Sequence, residues 1–119
     1  MSPDDPRTHL ERILAGNRLM TLLQPVLDLL EGRVMGYEAL SRGPSNSPLH
    51  APQALFHVAG QHGLMTALDW ACTRTAMQTF ARLKLPGQLF LNLTPGSLLD
   101  PAFAPDALLA ALAVEDLEH

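Results

Sequence analysis

Three side chains with the chemistry to bind an anion or a hard cation lie near the carboxyl ends of two predicted strands. Glu38 and Arg42 stand on one strand, where they share a face with Leu40 because strand side chains alternate with period two. A carboxylate at this position can bind a divalent cation, and a guanidinium can form paired hydrogen bonds with a phosphate. Asn92 ends the second strand and offers an amide oxygen suited to Mg²⁺ or Mn²⁺.

These residues also have ordinary structural explanations. Glu38 and Arg42 can form a surface ion pair or lie apart in water. Asn92 can serve the turn that follows its strand. The residue types and their spacing alone therefore leave both a ligand site and a solvated surface open.

The other reactive side chains give weaker patterns. The single Cys72 cannot form an internal disulfide, which favours a reducing, cytoplasmic setting, and its helical context predicts a buried structural thiol. His57 and His62 miss the i, i+4 spacing of a metal-binding helix, and His50 lies in a loop. Ser97 has no nucleophile-elbow pattern, so we do not expect it to be a catalytic nucleophile.

The composition is that of a globular protein with one core. The chain has 119 residues, of which 47% are hydrophobic and 17% are charged, so the disordered class is excluded. The net charge of -4, without a run of Lys or Arg, disfavours broad binding to nucleic acid or anionic membranes. No apolar stretch reaches the ~18 residues of a membrane span, and the polar N-terminus is not a secretory signal.

The elements that would position these residues follow from apolar periodicity and turn residues. We predict a helix over residues 8–20 capped by Thr8, and a hairpin over residues 22–40 in which Pro25 favours an edge strand. Residues 43–52 contain three prolines and predict a loop without internal order. The remaining predicted elements are helices over residues 52–62, 64–83 and 105–114 and a strand over residues 88–93.

The order of these elements resembles the opening of an α/β barrel. In such barrels the carboxyl ends of the strands carry the functional site, and Glu38, Arg42 and Asn92 fall at those ends. A closed barrel requires eight strands and ~250 residues, whereas this sequence predicts about three strands and four helices.

The local sequence around these residues resembles the EAL domain family, which is named for the triplet Glu38-Ala39-Leu40. The resemblance covers roughly residues 20–114. It implies a partial, modified (β/α)8 barrel whose first strand is antiparallel to the others, which accounts for the predicted hairpin. The matching segments are Gln24-Pro25-Val26-Leu27-Asp28, Gly36-Tyr37-Glu38-Ala39-Leu40-Ser41-Arg42, Pro52-Gln53-Ala54-Leu55-Phe56, Ala59 to Leu64, Leu68-Asp69-Trp70 and Asn92-Leu93-Thr94-Pro95.

The resemblance implies the hydrolysis of cyclic di-GMP to linear pGpG with Mg²⁺ or Mn²⁺, because active family members catalyse this reaction. The cations polarise the scissile phosphate and lower the pKa of the attacking water. By matched position, Glu38 is expected to act in catalysis, Glu38 and Asn92 to bind metal, and Arg42 to contact a phosphate. Three further positions are expected near the bases and sugars of the ligand: Gln24, Leu40 and Asp69. Asp69 has an open alternative, in which it helps to start the long helix or faces solvent.

We accordingly predict three segments. Residues 1–19 form an N-terminal helix or linker, residues 20–116 form the N-terminal half of an EAL domain, and residues 117–119 resemble the beginning of an expression tag. The family's second metal-binding Glu, its Asp-Asp segment and its water-assisting Lys have no counterpart here. We therefore expect the intact parent domain to be the hydrolase and this chain itself to be inactive, with a cation not necessarily bound.

Two other classes of function stay open. Degenerate EAL domains act as cyclic di-GMP receptors or as protein-interaction modules. Half a barrel would also expose strand edges and apolar faces, which predicts self-association. The resemblance further allows a GGDEF or sensor domain in the parent protein, and we expect no nucleic acid partner and no membrane span in this chain.

Overall fold

The part of the chain that the structure describes folds into a three-stranded sheet packed against a layer of helices. The computed structural model describes residues 5–99. None of the helices in that range is both long and apolar enough to cross a membrane. The elements in chain order are α1 (Pro6–Ala15), β1 (Met20–Asp28), β2 (Arg33–Arg42), α2 (Pro52–Gln61), α3 (Met65–Leu83), β3 (Gln88–Phe90) and α4 (Pro95–Leu98). The helix predicted over residues 105–114 and the segment 117–119 lie outside the described residues.

The sheet confirms the predicted hairpin. β1 and β2 pair antiparallel, β3 pairs parallel with β2, and the strand order is β1-β2-β3. β1 is therefore an edge strand of the described sheet, a position that tolerates Pro25 because proline has no N–H to donate to a ladder. An antiparallel first strand followed by a parallel pair is the arrangement that the resemblance implied.

The first helix begins and ends earlier than predicted, and the prediction of Thr8 as its cap was wrong. The side chain of Asp5 is the cap, because its Oδ1 accepts a hydrogen bond from the backbone N–H of Arg7 at 2.9 Å. Pro6 occupies the first turn, where its missing N–H has no cost. The helix ends before Gly16, so the residues that follow are available to begin β1.

The connection from β2 to α2 is ordered, contrary to the prediction for residues 43–52. The backbone N–H of Gly43 donates to the carbonyl of His50 at 3.0 Å, and the Nδ1 atom of His50 lies 2.9 Å from the carbonyl oxygen of Gly43. Leu49 is buried in the core, and a Cβ atom on Gly43 would collide with its carbonyl group. This closure fixes the chain directly after Arg42.

One hydrophobic core joins α1 to α2 and α3. Leu10 of α1, Leu55 of α2 and Leu68 of α3 are all fully buried, and each contributes about 1.5–3 kcal/mol of transfer free energy. Residues 1–19, predicted as a separate helix or linker, therefore include a helix that packs in the same core as the two that follow.

The helices cover one face of the sheet. Tyr37 of β2 contacts Phe80 of α3, with ring centroids 6.3 Å apart, and Ala39 is buried. Because strand side chains alternate, Tyr37, Ala39 and Ser41 face the helices. The side chains of Glu38, Leu40 and Arg42 therefore lie on the opposite face of β2.

Candidate functional site

Four of the predicted ligand-binding residues share the face of the sheet that points away from the helices. β1 places Gln24 opposite Glu38, Leu22 opposite Leu40 and Met20 opposite Arg42. We call this surface the open face and define it by these six residues. The structure therefore brings Gln24, Glu38, Leu40 and Arg42 together, as strand alternation and hairpin pairing require.

The parallel pairing of β3 with β2 brings Asn92 to the edge of the open face. The Nδ2 atom of Asn92 lies 3.3 Å from Oε2 of Glu38 and 3.2 Å from the carbonyl oxygen of Ala39. A carboxylate and a carbonyl group only accept hydrogen bonds, so the amide must direct its NH2 group toward them. The Oδ1 atom of Asn92 is then the atom that remains to ligate a cation.

The strand that carries Asn92 is shorter than predicted. β3 ends at Phe90, whereas the sequence predicted a strand to residue 93. Beyond Phe90 the side chain of Asn92 donates to the carbonyl of Ala39, so a side-chain bond holds the segment against β2 where the backbone ladder has ended. Asn92 is therefore bonded to the neighbouring strand rather than to the turn that follows it.

Arg42 ends β2 without pairing to Glu38. In the part of the chain that the structure describes, the one ion pair joins Arg7 to Glu11, so the surface pair considered for Glu38 and Arg42 is not formed. The Nη1 atom of Arg42 donates to the backbone carbonyl of Ser41 at 3.2 Å. A guanidinium has five N–H donors, and this single bond leaves the others for a phosphate.

A small pocket lies between the strand ends and the helices. Its volume is about 160 Å³, and its lining includes Arg42, Asn92, Phe56 of α2 and Cys72 of α3. Ligand pockets usually measure about 300–1,000 Å³, so this cavity is too small to hold a dinucleotide. The open face reaches the same strand ends.

Two side chains, one on the open face and one at its edge, carry oxygen atoms of the kind that ligates a hard cation. The Glu38 carboxylate and the Asn92 amide oxygen are ligand types that Mg²⁺ and Mn²⁺ prefer. Residues 5–99 contain no cluster of three or more His, Cys, Asp or Glu side chains that could hold a metal ion. The pair nevertheless fits the way Mg²⁺ is commonly bound, with one or two protein carboxylates and the remaining positions filled by water and substrate phosphate.

Asp69 lies on α3 rather than on the open face. It is 1% exposed and sits in the second turn of a helix that begins at Met65, so the alternatives of a helix start and of solvent exposure were wrong. Its Oδ2 atom accepts hydrogen bonds from the backbone N–H of Thr94 at 3.1 Å, from Oγ1 of Thr94 at 2.6 Å and from Oγ of Ser97 at 2.6 Å. The predicted contact of Asp69 with a ligand stays a prediction.

Thr94 and Ser97 were not predicted from the sequence as partners of this carboxylate. Thr94 precedes Pro95 at the beginning of α4, a pattern typical of an N-cap, yet its side chain makes no capping bond. The hydroxyl group donates to Asp69 instead. The sequence showed only an Asp directly after the apolar Leu68 in a helix and two hydroxyl residues after a strand, and this pattern does not specify the bonds.

Cys72 is buried, as predicted, and is poorly suited to nucleophilic chemistry. Burial raises the pKa of its thiol to about 11, a hydrogen bond with Ser41 opposes this rise, and the charge of Asp69 adds to it. The thiol is therefore protonated at neutral pH, and the thiolate is the nucleophilic form of cysteine.

The raised pKa of Cys72 predicts a loss of stability in alkali. As the pH rises above about 9, the thiol ionises in the unfolded chain before it ionises in the folded chain, where its pKa is about 11. The free energy of unfolding should therefore fall across this interval and level off above it. Urea midpoints for the wild type and Cys72→Ala between pH 8 and 11 measure the effect, and identical pH slopes in the two proteins would show that the prediction is wrong.

The barrel-type order of elements and the strand-end residues define the fold class, and the family comparison agrees with them. The chain belongs to the EAL domain family, whose model matches residues 7–118. This match confirms the resemblance that rests on the Glu38-Ala39-Leu40 triplet and the segments around it. No curated protein matches this chain.

Solved structures of EAL domains are similar to this chain. The FimX EAL domain of Xanthomonas citri in complex with c-diGMP has 27% sequence identity and a TM-score of 0.75, over 90% of this chain and 42% of that chain. The FimX EAL domain of Pseudomonas aeruginosa bound to c-di-GMP has 28% identity and a TM-score of 0.76, over 93% and 45%. A further FimX EAL domain structure gives 28% identity and a TM-score of 0.73, over 93% and 46%. The chain thus spans less than half the length of these structures.

Proposed function

We propose that this chain is a cyclic di-GMP-binding EAL module whose open face, with Asn92 at its edge, receives the phosphates of the ligand. The observation that carries the proposal is the 3.3 Å contact between Asn92 and Glu38, two residues 54 positions apart, beside the strand end that bears Arg42. The structures of the two FimX EAL domains named with an organism contain c-di-GMP, which supports the choice of ligand.

The charges on the open face indicate why a cation is needed. Cyclic di-GMP carries two negative phosphates, and the Glu38 carboxylate would repel them unless a positive charge lay between. Glu38 and Asn92 would hold Mg²⁺ or Mn²⁺ at this point, and Arg42 would add a second positive charge. When bound, the metal ion polarises a phosphate oxygen and lowers the pKa of a coordinated water.

The rest of the open face suits the uncharged parts of a dinucleotide. Gln24 lies directly opposite Glu38 and presents an amide that can both donate and accept hydrogen bonds. Leu40 lies between Glu38 and Arg42 on the same face and offers an apolar surface for a base or a ribose. We propose that Gln24 and Leu40 contact these groups.

A chemical-shift map of ligand binding tests the proposal. Cyclic di-GMP with Mg²⁺ is added to the ¹⁵N-labelled chain, and the backbone amide signals are followed by NMR. We expect the largest changes at the open face and at Asn92, with the hairpin turn at Leu29 and Leu30 unaffected because it lies at the opposite end of the strands. Binding that is absent, or changes centred on that turn, would contradict the proposal.

We expect no hydrolysis of cyclic di-GMP by this chain alone. Two protein oxygens cannot hold the paired metal ions of a phosphodiesterase centre, although the same residues would contribute to one in a longer EAL domain. Chromatography of cyclic di-GMP after prolonged incubation with the chain and Mn²⁺ should show no pGpG. Product that forms with the wild type and is lost in Glu38→Gln would contradict the expectation.

Binding without hydrolysis is also what a receptor domain would do. Residues other than those described would therefore decide whether the parent protein is a phosphodiesterase or a receptor. The cytoplasmic location and the association with a GGDEF or sensor domain stay predictions.

We also propose that, in the absence of bound ligand, the chain associates with a second copy through the open face and the edge of β1. Met20 and Leu22 on this face are 45% and 48% exposed, and β1 is an edge strand of the described sheet. Exposed apolar strands at a sheet edge favour pairing between chains. Sedimentation at tens of micromolar should show a dimer that Leu22→Lys weakens more than Leu30→Lys does, and a clean wild-type monomer would contradict the proposal.

A further inference from the structure

A buried carboxylate on α3 is bonded to the segment that follows Asn92. The Oδ2 atom of Asp69 accepts hydrogen bonds from the backbone N–H and the hydroxyl of Thr94 and from the hydroxyl of Ser97. The two hydroxyl oxygens lie 3.0 Å apart, but each is only 2.6 Å from the carboxylate. Since each hydroxyl has one proton, both protons are best placed toward Asp69.

The hydrogen bonds to Asp69 fix the positions of its donor groups, which an apolar residue could not do. Burial of a carboxylate at 1% exposure is costly unless several donors satisfy it, and the donors of Thr94 and Ser97 meet that need. An apolar side chain could fill the same space without this cost. What the carboxylate adds is a fixed position for the backbone N–H and the hydroxyl of Thr94, two residues beyond Asn92.

Asn92 is held between two attachments. On one side, its Nδ2 atom donates to the carbonyl of Ala39 at 3.2 Å. On the other side, Thr94 is bonded to Asp69. The regular ladder of β3 ends at Phe90, so these two attachments fix the backbone around Asn92 where the sheet itself no longer does.

The helix that carries Asp69 is itself fixed to β2. Leu68 is fully buried, and Phe80 of the same helix contacts Tyr37 of β2, with ring centroids 6.3 Å apart. Tyr37 precedes Glu38, so α3 contacts the strand that bears Glu38 and also holds the segment that bears Asn92. The position of Asn92 relative to Glu38 is therefore set in part by α3.

We propose that Asp69 is a positioning residue, which holds the Asn92 amide against Glu38 through Thr94 and thereby supports cation binding at the open face. The effect on cation binding rests on the proposed function, whereas the effect on the Asn92 amide does not. Two measurements therefore distinguish a failure of the positioning role from a failure of the proposed function.

The first measurement follows the side-chain amide signals of Asn92 by ¹⁵N NMR, after their assignment through their absence in Asn92→Ala. We expect Asp69→Asn and Thr94→Val to move these signals toward the values of a solvent-exposed amide, and Thr94→Ser, which keeps the hydroxyl, to restore them. Asp28→Asn is the matched control, because Asp28 accepts backbone N–H bonds from Leu30 and Glu31 at 3.0 and 3.1 Å in the hairpin turn.

The second measurement is the affinity for Mn²⁺, determined from the electron paramagnetic resonance signal of the free ion. Residues that orient a metal ligand typically change metal affinity by about 10–100-fold when replaced. We expect Thr94→Val and Asp69→Asn to weaken Mn²⁺ binding by about tenfold in the wild-type background. In an Asn92→Ala background the same changes should alter it less than about twofold, because their effect acts through Asn92.

The outcomes separate the alternatives. Unchanged Asn92 signals in folded Asp69→Asn and Thr94→Val would overturn the positioning role, as would losses of Mn²⁺ affinity that simply add to that of Asn92→Ala. If Asp69→Asn does not fold, Thr94→Val alone decides, because it keeps the buried carboxylate and removes the 2.6 Å hydroxyl bond to it. Absence of Mn²⁺ binding in the wild type, with the Asn92 signals moved as expected, would contradict the proposed function and leave the positioning role supported.

Discussion

Replacing Arg42 with alanine is expected to weaken cyclic di-GMP binding by about 10–100-fold, because a charge-assisted hydrogen bond is worth about 1.5–3 kcal/mol. The guanidinium ends β2 next to the closed loop between Gly43 and His50, and it is not engaged by Glu38. It is therefore placed to meet a phosphate without first breaking an ion pair. Titration calorimetry with cyclic di-GMP and Mg²⁺ measures the change.

The matched control is Arg33→Ala, which removes the same charge from the opposite end of the same strand. A general electrostatic attraction would weaken equally in both variants, whereas a specific phosphate contact weakens only in Arg42→Ala. Equal affinities for Arg42→Ala and the wild type would remove Arg42 from the proposed site. Arg42→Lys should recover part of the loss, since an ammonium keeps the charge but not the two parallel donors.

Replacing Leu10 with alanine is expected to lower the free energy of unfolding by about 2–5 kcal/mol. Leu10 is fully buried between α1 and the helices that follow, so truncation leaves a cavity in the one core that joins them. For a chain of this size, such a loss lowers the melting temperature by about 8–20 °C. Thermal and urea unfolding followed by circular dichroism measure it.

Leu30→Ala provides the control, because Leu30 is 99% exposed in the hairpin turn and should change stability by less than about 0.5 kcal/mol. A loss of stability for Leu10→Ala no larger than that for Leu30→Ala would mean that α1 is dispensable for folding, which would agree with the prediction of residues 1–19 as a separate segment. A large loss would place α1 within the folding unit of the domain.

The sequence predicted those elements whose signals are local. Pro52 in the first turn and Gly63 after the end bracket α2, which spans Pro52–Gln61, and the apolar spacing of α3 gives its length to within one residue. Strand alternation placed Glu38, Leu40 and Arg42 on one face, because it depends on neighbouring residues alone.

Features decided by distant partners were not predicted. Asp69 is buried because Thr94 and Ser97, which lie 25 and 28 residues away, donate to it, and helix periodicity carries no trace of such bonds. β3 is short because the side chain of Asn92, rather than the backbone, completes its contact with β2. The loop after Arg42 is compact because the burial of Leu49 and the bonds between Gly43 and His50 outweigh its turn-rich composition.

The residues of the candidate site could therefore be predicted from the sequence, but their geometry could not. The order of the strands indicated that Glu38 and Asn92 would lie at the same end of the sheet. Only the structure shows that the amide NH2 group faces both Glu38 and the Ala39 carbonyl, so that its oxygen is the atom available to a metal ion.

The dependence of cyclic di-GMP binding on Mn²⁺ tests whether Glu38 and a cation act together at the open face. Calorimetric titrations of the ligand with and without Mn²⁺ are compared for the wild type, Glu38→Gln and the control Glu31→Gln in the hairpin turn. We predict that Mn²⁺ raises the affinity of the wild type and of Glu31→Gln by at least about tenfold, a coupling free energy of about 1.4 kcal/mol, and does not raise that of Glu38→Gln. Equal enhancement by Mn²⁺ in Glu38→Gln and the wild type would contradict the assignment of Glu38 as a metal ligand.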